Sequence, residues 1–208
     1  MNFSAISNQS VFGKALRMLL RLLPDQTTIS ILQGPLKGKK WIVGAGQHGC
    51  WLGSYEYEKQ EMFKESILEG SVVFDIGAHV GFYTLLSSIL VGHRGKVFTF
   101  EPLPRNLFYL KRHLKLNHVK NVKLIEAAVS DSCDFAYFDD VPDNDLPKSY
   151  LGKLSTQGKL QVKTVSLDEL LERGEIVAPT HLKIDVEGAE LLVLKGARKT
   201  LVEAHPMI

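Results

Sequence analysis

The residues of this chain best suited to chemistry lie between Ser71 and Gly81. This segment opens with the apolar run Val72–Phe74, which is too short for a helix and predicts a strand buried on both faces. Asp75, Gly77 and Gly81 follow, and a helical pattern begins directly after them. A strand, a glycine turn and a helix in this order let backbone N–H groups approach a ligand closely. The alternative is a plain turn, whose glycines only supply a positive φ.

The acidic residues near this turn indicate what kind of ligand it would hold. The dinucleotide fingerprint Gly-x-Gly-x-x-Gly is absent because Asp75 occupies the place of its first glycine, so a nicotinamide-dependent dehydrogenase is disfavoured. The segment 96–102 predicts a second strand that ends in Glu101, 24 residues after Gly77. A carboxylate about 20 residues beyond such a turn can accept hydrogen bonds from ribose hydroxyls. Otherwise Glu101 is a solvated turn residue.

A third group of acids follows the apolar strand predicted at Leu182–Ile184. Asp185, Glu187 and Glu190 surround a glycine at the carboxyl end of this strand, where parallel sheets form their ligand crevice. We expect Asp185 and Glu187 to face that crevice. Acids in the first turn of a helix also suit the helix dipole, and this is the role expected of Glu190.

These motifs together resemble those of class I S-adenosylmethionine-dependent methyltransferases, whose first motif has the form Asp-x-Gly-Ala-x-x-Gly found at Asp75–Gly81. From about Gln33 onward the chain is similar to one subfamily, the FkbM-type methyltransferases. The matching pieces are Leu52–Glu56, Asp75–Ala78, Gly81–Thr84, Phe100–Pro102 and Leu182–Glu190. The chain departs from many members at His79, where they carry Asn, but a neutral imidazole also donates and accepts hydrogen bonds.

The resemblance implies a cofactor, a reaction and the residues that serve each. S-adenosylmethionine is the expected cofactor, held by Asp75, Gly77, Ala78, His79, Gly81, Glu101, Ala128 and Val129. Because this cofactor is a cation with a free ammonium, an acidic loop suits it better than a phosphate cradle does. The expected reaction is methyl transfer to a hydroxyl of a sugar, glycan or polyketide-like acceptor. Glu187, Asp185 or Glu56 is expected to take or orient the hydroxyl proton, and His79 is a further candidate after these three. Tyr55 and the polar segment Asp139–Gly158 are expected on the acceptor side, together with Glu56.

No metal is expected in this site. Asp185 lies where catechol-type methyltransferases place a metal ligand, but the sequence offers no convincing second and third ligand. The acids of Asp139–Gly158 lack the spacing and the glycine of a calcium loop.

A second function remains open, namely a protein that binds the cofactor but is catalytically impaired and serves as an interaction module. This alternative is favoured by the C-terminus, where Pro206–Ile208 predicts only the start of a fifth strand. FkbM-type chains continue with more sheet, so the C-terminal strands are expected to be missing. The apolar strand Leu182–Ile184 would then have an exposed edge, which predicts a homo-oligomer or a partner that covers it.

Length and composition fit one globular domain, since the chain has 208 residues and 45% of them are hydrophobic. A net charge of +2 argues against a large nucleic-acid-binding surface. Cys50 and Cys133 lie far apart in sequence, which indicates a reduced compartment and predicts a cytoplasmic protein. The segment Val11–Leu23 predicts a basic amphipathic helix. It is too short to span a bilayer, and it could pack on the domain, touch a membrane surface weakly or form a dimer contact.

The alternation of apolar strands and helices predicts an α/β doubly wound, Rossmann-like fold with a mostly parallel sheet. The resemblance adds the strand order 3-2-1-4-5. We expect residues 1–70 to form an N-terminal helix and β-hairpin cap, and residues 71–208 to form the methyltransferase domain. The third core strand is predicted at Val122–Ala128.

Within the expected cap, the pattern predicts three kinds of local structure. Strands at Thr28–Leu32 and Lys40–Val43 flank a glycine-proline turn and form the hairpin. The glycine-rich segment Gly44–Gly53 predicts a loop, and Tyr55–Leu68 has the spacing of a helix.

Overall fold

A computed structural model describes residues 23–139, 153–154, 158 and 160–208. In chain order the elements are β1 (Thr28–Ser30), β2 (Lys40–Ile42), a 3-10 turn (Val43–Ala45), α1 (His48–Leu52), α2 (Tyr57–Ser66), β3 (Val72–Ile76), α3 (Phe82–Leu90), β4 (Lys96–Phe100), α4 (Pro104–Leu116), β5 (Val122–Ile125), β6 (Ala128–Val129), β7 (Phe135–Asp139), β8 (Lys153–Leu154), β9 (Leu160–Val165), α5 (Leu167–Glu172), β10 (His181–Ile184), α6 (Glu190–Lys195) and α7 (Arg198–Ala204). None of the helices in these ranges is long and apolar enough to cross a membrane.

The centre of the fold is a parallel sheet in which the described strands follow the order β10-β3-β4-β5. Next to β10, Met207 forms an isolated parallel bridge with His181, so the chain begins to pair at the fifth position of the sheet. The backbone N–H of Leu182 donates to the carbonyl of Met207 at 2.8 Å. Numbered along the core, this arrangement is the predicted order 3-2-1-4-5. The α/β class and the mostly parallel sheet are therefore confirmed.

Side chains of the central strands alternate between two buried layers, as the two-residue period of a strand requires. Phe74 of β3 and Phe98 of β4 pack with Leu167, Leu170 and Val193 from the helices on one face. The neighbouring residues of the same strands, Val73 and Val97, point to the other face and pack with Ile67 and Val91. Both faces of the sheet are thus covered, which is the doubly wound arrangement.

The β1–β2 hairpin is present and is joined to α4 by a buried histidine. His113 accepts a hydrogen bond from the backbone N–H of Ile42 at 3.1 Å, and its other ring nitrogen lies 2.8 Å from the carbonyl oxygen of Val80. The indole of Trp41 stacks on the imidazole with ring centroids 3.8 Å apart. Burial lowers the pKa of His113 to about 4, so the ring is neutral and its two nitrogens act as one donor and one acceptor.

Two local predictions are wrong. The segment Gly44–Gly53 is not a continuous loop, because α1 lies within it and ends at Gly53 in the left-handed conformation. One helical turn is too short to show a periodic pattern in the sequence. The predicted strand Val122–Ala128 breaks after Ile125, and Ala128 pairs instead with Thr164 of β9 in a second sheet of order β6-β9-β7-β8.

Three other expectations fall wholly or partly outside the described residues. Most of the helix predicted at Val11–Leu23 lies there, as does most of the polar segment Asp139–Gly158. The division into a cap of residues 1–70 and a domain of residues 71–208 stays a prediction, as does any association through the edge of β10.

Candidate functional site

A cavity of about 370 Å³ lies at the carboxyl ends of β3, β4 and β10. This volume is within the range of small-molecule sites, and the carboxyl edge of a parallel sheet is where such sites form. Its charged wall residues are Glu56, Lys59, Glu101, Lys183, Asp185 and Glu187. Nine of the predicted site residues line it, namely Glu56, Gly77, Ala78, His79, Glu101, Ala128, Val129, Asp185 and Glu187. Among the predicted site residues Asp75 and Gly81 do not line it.

Gly77 permits a close approach between the loops that follow β3 and β10. Its φ is +75°, and a Cβ atom at this position would lie 2.0 Å from the carbonyl oxygen of Asp185. Only glycine can therefore stand here without displacing the backbone that carries Asp185. The N–H groups of Gly77 and Ala78 both donate to the carbonyl oxygen of Phe100 at 3.1 Å, which ties the same loop to β4.

Asp75, in β3, supports this loop through the side chain of Lys183. The residue is fully buried, and its Oδ2 accepts a hydrogen bond from the hydroxyl of Thr84 at 2.6 Å. The ammonium of Lys183 lies 3.0 Å from Oδ1 and donates to the carbonyl oxygen of Gly77 at 3.1 Å. The sequence predicts Asp75 as a cofactor ligand, whereas the structure places Lys183, not Asp75, at the cavity wall.

Glu101 presents a nearly buried carboxylate to the cavity, with 3% of the residue exposed. Its Oε2 accepts from the backbone N–H of His79 at 2.7 Å. Its Oε1 accepts from the N–H of Leu103 at 2.9 Å and from the amide of Asn106 at 3.2 Å. Burial raises the pKa of Glu101 to about 7 although these three donors favour the charged form. The carboxylate is therefore held in one orientation and is ready to accept further hydrogen bonds.

His79 lies beside Glu101 in a conformation that is rare for residues other than glycine and asparagine. Its φ is +54°, and the residue lines the cavity. Burial, together with the nearby positive charge of Lys183, lowers the pKa of His79 to about 4. The ring is therefore neutral at pH 7. Within the described residues, its buried Nε2 has no hydrogen-bond partner.

Glu56, which precedes α2, also lines the cavity. Its carboxylate is held by two side chains: the ammonium of Lys59 lies 2.6 Å from Oε1, and the hydroxyl of Tyr83 donates to Oε2 at 2.9 Å. Burial raises the pKa of the Tyr83 phenol above its usual range, and the hydrogen bond to Glu56 raises it further. The phenol is thus a hydrogen-bond donor at neutral pH. Tyr55 lines the same cavity.

Asp185 and Glu187 face the cavity, as expected, but their side chains are more loosely held. The carboxylate of Asp185 lies 3.6 Å from the ammonium of Lys183, and 57% of its side chain is exposed. Glu187 is exposed and has a φ of +50°. Glu190 is outside the cavity wall, and its carboxylate accepts a hydrogen bond from the N–H of Gly188, which lowers its pKa.

Unusual backbone conformations concentrate at this cavity. Within the described residues, five that are not glycine have a positive φ: Glu56, His79, His118, Glu187 and His205. Three of them, Glu56, His79 and Glu187, line the cavity. Such conformations are unfavourable and persist mainly where function requires them, so they support this cavity as the site.

Sequence reasoning missed two residues that organise the walls, Lys183 and Tyr83. The available signal for Lys183 was a charged residue between Leu182 and Ile184 in a strand that is otherwise apolar. Tyr83 gave no signal, because aromatic residues at the start of a helix usually belong to the core. A metal site has no support in the part of the chain that the structure describes, since no three potential ligands come together there.

Comparison with known proteins places the chain in a family. Residues 75–208 match the family model of the Methyltransferase FkbM domain. A relative named hexuronic acid methyltransferase AglP, from Haloferax volcanii, is 32% identical over 153 residues. That match covers 74% of this chain and 61% of the relative, so the chain spans about three fifths of the relative's length.

Solved structures of methyltransferases align with parts of the fold. A SAM dependent methyltransferase from Aquifex aeolicus is 27% identical and aligns 35% of this chain with 39% of its own, at a TM-score of 0.33. The precorrin-6y C5,15-methyltransferase from Geobacter metallireducens is 16% identical and aligns 69% of this chain with 56% of its own, at a TM-score of 0.43.

The residues of the cavity fit the cationic cofactor of such a family. Four carboxylates and two ammonium groups line it, and the ammonium of Lys183 already lies between Asp75 and Asp185. The remaining negative charge suits a ligand with a sulfonium and an ammonium, and Glu101 supplies a buried acceptor for ribose hydroxyls. The chain belongs to the FkbM methyltransferase family, and its cofactor is S-adenosylmethionine.

Proposed function

We propose that this chain transfers a methyl group from S-adenosylmethionine to a hydroxyl oxygen of a sugar or glycan acceptor. The observation that carries the proposal is one cavity lined by two groups of residues with different chemistry. The first group, which we call the cofactor wall, is formed by Gly77–His79 and Glu101 and suits the cofactor. The second group, the acceptor wall, is formed by Tyr55, Glu56 and Tyr83 and suits a polyol.

The cofactor wall is built from residues that are fixed before any ligand arrives. Gly77, Ala78, His79 and Glu101 come from the ends of β3 and β4 and are joined by the hydrogen bonds described above. Ala128 and Val129 add a surface with small side chains, against which a flat base can lie. When bound, S-adenosylmethionine supplies an already activated methyl group. Much of the catalysis by the protein is therefore positioning of the two reactants.

The acceptor wall combines aromatic rings with hydrogen-bonding groups. Tyr55 and Tyr83 contribute aromatic rings, and Glu56 and Lys59 present opposite charges at the same cavity. Apolar rings beside a few placed polar groups are typical of small-molecule sites and suit the mixed surface of a sugar. Three carboxylates, those of Glu56, Asp185 and Glu187, border the space in which an acceptor hydroxyl would lose its proton.

The sugar class is supported by the Haloferax volcanii relative, whose name describes a hexuronic acid methyltransferase. The identity of 32% extends over most of this chain, which makes a sugar acceptor the first class to test. Oxygen as the accepting atom is supported by the carboxylates of the cavity, because a hydroxyl must lose its proton during methylation and a carboxylate can take it.

Two measurements test the proposal. Calorimetry with S-adenosylmethionine, and with S-adenosylhomocysteine as the product form, is expected to show one site per chain. Mass spectrometry then follows methyl transfer to a panel that contains methyl glucoside, methyl galactoside, methyl glucuronide and a glucuronate disaccharide. A gain of one methyl group on a sugar oxygen is the expected result.

The same two measurements separate the alternative function. If the folded chain binds S-adenosylmethionine but no sugar in the panel gains a methyl group, a cofactor-binding interaction module accounts for the protein better. If the folded chain binds neither cofactor form, the proposal itself is wrong.

A further inference from the structure

The three carboxylates that could take the acceptor proton differ in how firmly the protein holds them. Glu56 has both oxygens in contact with side chains, at 2.6 Å from Lys59 and 2.9 Å from Tyr83, and 29% of its side chain is exposed. Asp185 has one contact, at 3.6 Å from Lys183, and 57% of its side chain is exposed. The exposed side chain of Glu187 has no such partner within the described residues. Glu56 is therefore the carboxylate with a defined orientation.

Tyr83, whose hydroxyl donates a hydrogen bond to Glu56, is itself held in place by packing. The residue is 5% exposed, and its ring lies 4.7 Å from the ring of Phe63 and 5.6 Å from that of Phe82, centroid to centroid. The ammonium of Lys183 lies over its ring at 5.4 Å from the centroid. A side chain enclosed in this way cannot turn its hydroxyl elsewhere without disturbing the core. The hydrogen bond to Glu56 is consequently an organised feature of the cavity.

The backbone at Glu56 is a second sign that its position matters. Its φ of +45° lies in the left-handed region, which is rare for a glutamate and costs about 1–2 kcal/mol. A glycine or asparagine would adopt this conformation more easily. The chain instead holds a carboxylate here, directly before α2 and at the wall of the cavity.

We propose that Glu56 is the general base of the reaction and that Tyr83 is a positioning residue which, with Lys59, holds the Glu56 carboxylate towards the acceptor hydroxyl. This inference rests on the proposed function. In the step, the acceptor oxygen forms a new O–C bond to the methyl group while its S–C bond breaks, and the bonding electron pair stays on sulfur. The hydroxyl proton goes to Glu56 and is then released to water.

The arrangement meets the geometric requirement for a general base. A base works efficiently when it lies within hydrogen-bonding reach of the proton and when a further group orients it. Tyr83 provides the orientation, and Lys59 balances the charge of the carboxylate at the exposed edge. Neither is expected to contact the reacting atoms.

The test compares Glu56→Gln, Tyr83→Phe and Tyr109→Phe with the wild-type chain, using the panel sugar that is methylated fastest. Tyr109 is the matched control, because it is also a buried tyrosine with a hydrogen-bonded hydroxyl, 3.1 Å from the amide of Gln26, and it does not line the cavity. We expect Glu56→Gln to lower kcat by about 100-fold or more, the range for loss of a general base. Tyr83→Phe should lower kcat by about tenfold, equivalent to one hydrogen bond to a charged group. Tyr109→Phe should leave kcat unchanged.

Two further readouts exclude a merely structural effect. The KM for S-adenosylmethionine and its calorimetric Kd should stay within about threefold of wild type in all three variants, a difference below 1 kcal/mol. The double variant Glu56→Gln with Tyr83→Phe should be no slower than Glu56→Gln alone, because Tyr83 acts only through Glu56.

Several results would overturn the inference while leaving the proposed function intact. One is a wild-type kcat in Glu56→Gln together with a large loss in Glu187→Gln or Asp185→Asn. Another is a Tyr83→Phe variant whose loss multiplies that of Glu56→Gln, since Tyr83 would then act by another route. By contrast, failure of the wild-type chain to methylate any sugar defeats the proposed function and this inference with it.

Discussion

The ammonium of Lys183 lies 3.0 Å from Oδ1 of Asp75, and this ion pair joins the two central strands directly below the cofactor loop. The two residues are partners in the register of β10 and β3. Asp75 is fully buried, and 14% of the Lys183 side chain is exposed. Because the same ammonium donates to the carbonyl oxygen of Gly77, the pair neutralises a buried charge and fixes the loop at the same time.

Replacing Lys183 by methionine should therefore destabilise the chain strongly. The substitution keeps much of the side-chain volume but leaves the buried carboxylate of Asp75 without its cation. Removing one partner of a buried ion pair typically costs about 3–5 kcal/mol. Urea unfolding followed by circular dichroism measures the free energy of unfolding, and we expect a loss of that size.

The double variant Asp75→Asn with Lys183→Met separates charge balance from loop positioning. It removes both charges, so most of the lost stability should return. The contact to the carbonyl of Gly77 stays lost, and S-adenosylmethionine should still bind more weakly than to the wild-type chain. An unfolding free energy equal to that of wild type in Lys183→Met alone would contradict the role given to the pair.

A second prediction concerns Glu101, whose pKa burial raises to about 7 from an ordinary value of 4.5. A carboxyl group with a raised pKa binds its proton more tightly in the folded chain. Its stabilising contribution is full below pH 4.5 and is lost as the pH rises through 7. Cofactor binding should show the opposite slope, because the ionised carboxylate is the better acceptor for ribose hydroxyls. We expect the affinity for S-adenosylmethionine to fall about tenfold from pH 8 to pH 6, following the ionised fraction.

Calorimetry at half-unit pH steps measures how the affinity for S-adenosylmethionine changes with pH. Urea unfolding over the same range measures how the free energy of unfolding changes with pH. In Glu101→Gln both pH dependences should flatten, and the affinity at pH 8 should be about tenfold lower. Glu126→Gln is the control, since Glu126 follows the neighbouring strand β5 but pairs with Lys111 at the surface, 2.7 Å away. If Glu101→Gln keeps the wild-type slope of affinity against pH, another group controls binding.

Much of this site could be predicted from the sequence because parallel strands bring their carboxyl ends together. Apolar runs in the sequence predicted β3, β4 and β10. Gly77, Glu101 and Asp185 each follow directly after one of these runs, which places them at the carboxyl edge of the sheet. The fold class followed from the same alternation of strands and helices. The strand order did not, since nothing local in a strand specifies its neighbour; it came from the family resemblance.

The parts that could not be predicted depend on contacts between distant segments. Asp75 is the acid of the family motif, but its carboxylate is buried as the partner of Lys183 in an ion pair. Lys183 is 108 residues away in sequence. The pairing of Ala128 with β9 in a second sheet likewise depends on a strand 32 residues or more further along the chain. Hydrophobic periodicity predicts a strand or a helix from a few neighbouring residues, but it does not predict which distant segments pair.

A third prediction concerns the close approach at Gly77. In Gly77→Ala the new Cβ would lie 2.0 Å from the carbonyl oxygen of Asp185, so the loop after β3 and the loop after β10 must separate. We expect the loss of detectable S-adenosylmethionine binding by calorimetry, together with a lower free energy of unfolding. Gly174→Ala is the matched control, because Gly174 also has a positive φ, of +67°, but nothing lies within 4 Å of its Cβ position.

The control isolates the steric part of the effect. Gly174→Ala should cost only the strain of a left-handed alanine, about 1–2 kcal/mol, and should keep the wild-type Kd for the cofactor. Equal losses of stability and unchanged cofactor binding in both variants would mean that the contact between Gly77 and Asp185 has no part in the site.

The last prediction concerns His79, whose left-handed backbone and neutral ring can be tested separately. Asparagine adopts a φ of +54° readily and is the residue that many family members carry here, so His79→Asn should bind S-adenosylmethionine within about threefold of wild type. Valine is branched at Cβ and disfavours this conformation, so His79→Val should lose about 1–2 kcal/mol of stability and bind the cofactor more weakly. Urea unfolding and calorimetry measure the two effects.

The pH dependence of stability provides the check on the ring itself. Because burial lowers the pKa of His79 to about 4, its contribution is present above pH 6.5 and is lost as the pH falls from 6.5 towards 4. His79→Asn removes this contribution, whereas His113, whose pKa burial also lowers to about 4, keeps its own. The acid-induced loss of stability should therefore become smaller in His79→Asn without disappearing. An unchanged acid profile would mean that His79 is already protonated or solvated at pH 6.5, and its assignment as a neutral, buried ring at the cavity wall would then fail.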